Sequence, residues 1–146
     1  MQIESMCVTC HVCGGFEQVA MGRNAETKTL PFLSVVQSTH GSYRVALDND
    51  PAVETGEMGV FVAPRARIQH LVHLPDERDG CMSAQWIFLD VEVNRRYRLD
   101  DLFSFPTMLP DKYNQEICTL LRRIAETERL TDRLPDIHRL LCILLD

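Results

Sequence analysis

A mainly β domain, built as a sandwich or barrel and followed by two helices, is the fold this sequence predicts. Three observations predict it. Short runs rich in Val, Phe, Leu, Thr and Tyr recur through residues 1–109, clusters of Gly, Asn, Asp and Pro separate them, and no segment of helical period lies between them. From Pro110 the pattern switches to apolar residues three and four apart, over 110–146. A chain of 146 residues with 45% hydrophobic side chains supports one core, so both parts are expected to form a single domain.

The strand runs are Met6–Cys13, Phe32–His40, Ser42–Leu47, Gly59–Ala63, Gln69–His73 and Ser83–Val93. Gly14-Gly15, Gly41, Asp48 to Pro51, Gly56 and Asp76 to Gly80 punctuate them with residues that favour turns. Strands at this spacing without intervening helices favour a sandwich or barrel over alternating strands and helices. In Ser83–Val93, Trp86 and Phe88 share one face while Ile87 and Leu89 share the other, so both faces are expected to be buried.

Asp111 sits where a helix N-cap would, and Ile117, Leu120, Leu121 and Ile124 form one apolar stripe, with Arg122, Arg123 and Glu126 outside it. This predicts an amphipathic helix of about five turns. A second helix is expected from near Pro135, carrying Ile137, Leu140, Leu141, Leu144 and Leu145. The last residues, Leu140 to Asp146, are apolar enough to call for a covering partner: a second copy of the chain, or more of a longer protein.

The net charge is −6. Residues 111–146 hold six Lys/Arg against seven Asp/Glu, which leaves −5 for the first 110. Nucleic-acid affinity rests on neutralising phosphates with a basic face, which neither part supplies. No apolar run approaches the roughly 20 residues needed to span a bilayer, and the N-terminus lacks the basic and apolar regions of an export signal. A cytoplasmic protein whose six cysteines are reduced is the expectation.

Cys7, Cys10 and Cys13, with His11 among them, have spacing that suits zinc or redox chemistry on a turn. In a regular strand, however, Cys7 and Cys13 share a face with His11 and Cys10 points opposite, so the four cannot converge without a bulge. Small buried thiols are the plainer reading. His40 and His70 could meet inside a barrel and hydrogen-bond a polar ligand, or simply sit at turns. Arg44, between Tyr43 and Val45, reads either as an anchor for an anionic ligand or as part of a solvated face. Trp86 and Phe88 could stack on a ligand or pack the core. His70 and His73 fall on opposite faces of a strand, a poor chelate, and His138 has no acidic partner at catalytic spacing. No phosphate loop or nucleophile elbow occurs.

The stretch Gly56-Glu57-Met58-Gly59-Val60-Phe61-Val62-Ala63-Pro64 followed by His70 resembles the second cupin motif. Gln85-Trp86-Ile87-Phe88 is similar to the aromatic strand that follows this motif in the ligand-binding domain of AraC-type transcription regulators. The order of parts is similar to that of this family over roughly residues 30–146. Between Pro64 and His70 the turn Arg65 to Gln69 is one residue longer than the common one. The resemblance implies a cupin-like jelly-roll (double-stranded β-helix) barrel that binds a small-molecule effector, a sugar or other polar metabolite. It also implies homodimerisation through the following helices, with Ile117, Leu120, Leu121 and Ile124 as the dimerising stripe, and DNA contact only through a separate helix-turn-helix half. Catalytic cupins gather several His and a Glu around a metal, whereas Ser38 to Arg44 offers one His and no carboxylate, so neither catalysis nor a cofactor is expected. A stand-alone metal-dependent cupin enzyme and a cysteine-based zinc or redox sensor are the alternatives.

Overall fold

The computed structural model describes residues 1–146. Nine strands come first: β1 (Met6–Ala20), β2 (Asn24–Thr29), β3 (Leu33–His40), β4 (Ser42–Leu47), β5 (Val53–Glu54), β6 (Val60–Ala63), β7 (Ile68–Leu74), β8 (Cys81–Val93) and β9 (Tyr97–Arg98). A single-turn helix α1 (Leu99–Leu102), a 3₁₀ turn at Asp111–Tyr113 and the helices α2 (Asn114–Glu126) and α3 (Leu130–Leu144) complete the chain. The mainly β class with C-terminal helices is as the sequence predicts.

All pairing is antiparallel. One sheet runs β1-β8-β3-β6 with β9 on β8, and the other runs β2-β7-β4-β5. Alternation along the strands decides what each face meets. Val36, Phe61, Ala63, Met82 and Ala84 of the first sheet share a buried cluster with Tyr43, Val45, Leu47 and Leu71 of the second, so the two sheets face one another. The opposite face of the first sheet presents Leu33, Val35, Val60, Val62, Ile87, Leu89, Val91 and Val93 to α2 and α3. Three layers result, and β3, β6 and β8 are buried on both sides.

Two glycines mark where the chain must come close or turn sharply. A Cβ on Gly15 would lie 2.4 Å from the carbonyl oxygen of Ala84, so only glycine lets β1 lie against β8 there. Gly41, alone between β3 and β4, has φ +76°, a conformation that side chains rarely adopt. The long turn after β6 is held by charge: Arg67 pairs with Asp48 and, at 2.9 Å, with Asp50, while the Ile68 N–H donates to Asp48.

Several boundaries differ from expectation. β1 continues seven residues past Cys13, to Ala20, because its glycine-led second half still pairs with β8. β2, with the polar sequence Asn24 to Thr29, forms through its backbone pairing with β7. β5, β9 and α1 are short elements without a periodic signal. Asp111 opens a 3₁₀ turn, and α2 begins at Asn114 with 13 residues, shorter than five turns. α3 starts five residues before Pro135, which lies in its second turn and supplies no N–H to the Thr131 carbonyl. No helix is long and apolar enough to cross a membrane.

Ile117, Leu120, Leu121 and Ile124, expected to face a second copy, are at most 3% exposed within a single chain, packed on the sheet and on α3. Among them runs a polar tie. The buried Gln37 side chain donates to the carbonyls of Met58 and Asn114, each at 2.9 Å, and its oxygen accepts from Gln85 at 2.9 Å. Gln85 donates in turn to the carbonyl of Cys118 at 3.1 Å, so β3, β8 and the first turns of α2 are joined by satisfied buried groups. Leu121→Ala is therefore expected to lower unfolding free energy by about 2–5 kcal/mol in a denaturant titration, the range for truncating a packed leucine. A loss below about 0.5 kcal/mol would contradict the assignment of Leu121 to the internal core.

Candidate functional site

The facing side chains of the two sheets leave a cavity of about 380 Å³, within the range of small-molecule sites. It draws Val12 and Phe16 from β1, Glu26 and Lys28 from β2, Val36 from β3 and Tyr43 from β4. Phe61 of β6, Leu71 and His73 of β7, and Trp86 and Phe88 of β8 complete it. These residues take the inward positions of seven strands, so their direction follows from the alternation that builds the core. Eight of the 11 are hydrophobic.

The aromatic rings brace one another. Tyr43 meets Phe61 edge-on at 5.5 Å and His73 at 4.9 Å, and Phe16 lies 6.0 Å from Trp86. Burial holds the Tyr43 phenol far above its ordinary range, with the Glu26 charge adding to the effect, so Tyr43 stays a neutral hydroxyl. Lys28 and Glu26 pair at 3.1 Å with both side chains more than one-third exposed, which places them at the rim. The Nδ1 atom of His73 is buried without a hydrogen-bond partner. Ser34 Oγ and Gln69 Nε2 are also buried and unpartnered. By strand alternation they face the same inter-sheet space, Ser34 two residues from Val36 and Gln69 two residues from Leu71. Unpartnered buried polar atoms are uncommon, and His73, the one of the three that lines the cavity, gives a ligand a specific point to hold there.

Of the residues singled out in the sequence, Trp86 and Phe88 enter this cavity. The others do not. His70 points outward from β7 beside Thr27, at 3.3 Å. Arg44 points outward from β4 and pairs with Glu54 at 2.6 Å. His40, at the end of β3, lies outside the cavity between two loops, its Nδ1 3.0 Å from Glu57 and its Nε2 2.8 Å from Asp79. His73, dismissed in the sequence as half of a poor chelate, takes the inward place. Its alternation with Leu71 was the signal available. Glu26 and Lys28 carried none, because β2 itself was not legible.

His40, Glu57 and Asp76 have ligand atoms within 4.8 Å of one another, the kind of donors a metal uses. Those atoms are already engaged: both His40 nitrogens contact carboxylates, and Arg78 holds Asp76 at 2.8 Å, well below the usual carboxylate range. A broad surface depression of about 690 Å³ beside them is lined mainly by charged side chains, among them the paired Arg44 and Glu54. It has one hydrophobic lining residue, so apolar burial contributes little to binding there.

The cysteine expectation changes. The register of β1 on β8 shifts between Cys10 and Val12, leaving His11 as the extra residue of a bulge. Cys10 then pairs with Leu89 and Cys13 with Ile87, two residues of the helix-facing side. Cys10 and Cys13 therefore share a face, rather than Cys13 sharing one with Cys7. His11 turns to Asp90, at 3.0 Å, and to the Phe32 ring, at 4.4 Å.

No protein-family model matches this sequence, and no curated protein is significantly similar to it.

The His40 contacts carry a pH dependence. Hydrogen bonds to Glu57 and then Asp79 raise the His40 pKa above its ordinary value, against a smaller opposing effect of burial. A raised pKa in the folded state means that its contribution is complete below the unfolded pKa of about 6.5 and is lost as pH rises through the folded value. The stability advantage of the natural chain over His40→Gln should therefore shrink between about pH 5.5 and 8.5 in paired denaturation curves. A constant difference across that span would mean that His40 is not charged in the fold.

Proposed function

We propose that this chain is the effector-binding and dimerising part of an AraC-type transcription regulator, a cupin-like jelly roll that holds a small molecule between its two sheets. The observation that carries this reading is the 380 Å³ inter-sheet cavity, walled by residues of seven strands. The order of parts supports it as well, with β strands, the Trp86-Phe88 strand and then two amphipathic helices seated on one sheet. In this reading DNA is bound by a separate helix-turn-helix half. The net charge of −6 suits such a division, since these residues offer phosphate no basic face.

The lining refines the effector. A sugar needs hydrogen-bonding partners around its whole rim, whereas eight of 11 lining residues here are hydrophobic. We infer a small, flat, largely apolar molecule that stacks between Trp86 and Phe88 and carries an oxygen or nitrogen group toward His73 and Tyr43. Binding energy differs between conformations only where contacts differ, so the effector acts by favouring one seating of the sheet and its helices over another.

The dimer interface also needs relocation. With Ile117, Leu120, Leu121 and Ile124 occupied inside the chain, the apolar residues that α3 leaves for a partner are Leu130 and Leu134, 47% and 40% exposed, with Leu145 just beyond at 38%. They lie outside the internal core, so changing them leaves the fold intact.

Trp86 is the only tryptophan and lines the cavity, so its fluorescence reports occupancy directly. Titrating small aromatic acids, phenols and amides should give a saturable change in Trp86 emission, abolished by Val36→Phe, which fills the cavity from β3. Emission that stays flat across the series, or responds equally in Val36→Phe, would defeat the cavity assignment. In sedimentation velocity the natural chain should run as a dimer and Leu134→Glu as a folded monomer. A monomer in both cases would remove dimerisation from the proposal.

A further inference from the structure

We propose that Cys10 and Cys13 form a redox site, a dithiol that closes to a reversible disulfide under a hydroperoxide oxidant and thereby alters the hold of β1 on the helical pair. The site is separate from the cavity and goes beyond the effector reading.

Its geometry comes from the bulge. With His11 looped out, Cys10 and Cys13 occupy the register positions of Leu89 and Ile87, two residues apart on β8 and on the same face. At the usual strand rise that spacing is roughly 6.6 Å, inside the Cα separation of about 4.4–6.8 Å that a disulfide tolerates. The fold brings no other pair together in this way. Cys7 lies across the strand on the opposite face, Cys118 is buried in α2, Cys81 begins β8 at its far end, and Cys142 is exposed on α3.

Both thiols are half-buried on the outermost strand of the sheet, close enough to solvent for a small peroxide to reach them. Each touches the helical layer where α2 gives way to α3. Cys13 Sγ donates to the carbonyl of Ile124 at 4.0 Å, a long and weak contact typical of sulfur. Cys10 faces Cys13 and Arg133, and Arg133 also donates to the carbonyl of Thr127, the residue that ends α2. Burial and the neighbouring sulfur hold the Cys10 thiol above its ordinary value while Arg133 pulls it back, so the resting site is protonated at Cys10 and quiet.

The chemistry balances with hydrogen peroxide as the co-reactant. One sulfur attacks a peroxide oxygen, the O–O bond breaks, and the sulfur becomes a sulfenic acid as the first water leaves. The second sulfur then attacks the sulfenic sulfur, the S–O bond breaks, and a second water leaves with the remaining thiol proton. Two thiols lose two electrons and two protons, and one peroxide becomes two waters. Closure removes the S–H donor from the Ile124 carbonyl and redirects the sulfur beside Arg133, loosening the contacts that tie the α2–α3 connection to β1.

The test uses the full chain, reduced, then treated with a small excess of hydrogen peroxide, alkylated and mapped by mass spectrometry. The expected product is a peptide in which Cys10 and Cys13 resist alkylation, two mass units lighter and restored by a dithiol reductant. Backbone hydrogen exchange over residues 124–133 should be faster in the oxidised form. Cys10→Ser should instead carry a sulfenic acid trapped on Cys13, a result that does not depend on disulfide geometry. Independent alkylation of Cys10 and Cys13 after peroxide, or a disulfide from Cys10 to Cys7, would overturn the proposal. Unchanged exchange over 124–133 in a cleanly oxidised chain would overturn its coupling to the helices.

Discussion

The seating of α2 and α3 on the outer face of the five-stranded sheet is the constraint on which the rest of the molecule depends. Once that face is covered, β3, β6 and β8 are buried on both sides, and each residue along them faces either the helical layer or the inter-sheet space. Ile87 and Leu89 lie under the helices while Trp86 and Phe88 line the cavity, one residue away on the same strand. A one-residue slip of β8 would exchange the two sets and destroy both layers, so the register is strongly specified. The buried link from Gln37 and Gln85 to the carbonyls of Asn114 and Cys118 adds direction to that packing, because those groups are satisfied only in this one seating.

That arrangement explains how the cavity and the helices could communicate. Any ligand that shifts Trp86 or Val36 works on strands whose other face carries Ile87, Val35 and Gln37, all in contact with the helical layer or its polar tie. Packed interiors transmit small displacements rather than absorbing them. In the proposed regulator, the message would pass through the thickness of one sheet. The cysteine pair would act on the same helical layer from the sheet edge, at the connection between α2 and α3.

The sequence was informative wherever one physical preference dominated. The strands of the doubly buried sheet, the apolar stripe of α2 and the two faces of β8 were legible because burial writes a clear period into the residues. β2 was not, since a polar strand at a sheet edge owes its existence to backbone pairing with β7 rather than to its own side chains. The early start of α3 was hidden by Pro135, which reads as a first-turn residue although it lies in the second turn of the helix. The cavity was half legible: Trp86 and Phe88 stood out, but His73 looked like a failed chelate and Glu26 and Lys28 lay in an unseen strand. His40, Arg44 and His70 drew attention through their chemistry, while their direction depended on contacts from distant loops. The bulge at His11 likewise reversed the faces of the cysteines, and no local residue announces a bulge of that kind.

An accessible apolar cavity between the sheets is the central claim, and methyl-resolved NMR under xenon pressure tests it most directly, because xenon enters such cavities without needing a specific ligand. The methyl signals of Val12, Val36 and Leu71 should shift in a saturable way, while those of Val35, Val62 and Ile124 in the helical layer stay still. Shifts spread evenly over both groups, or absent from the first, would contradict it.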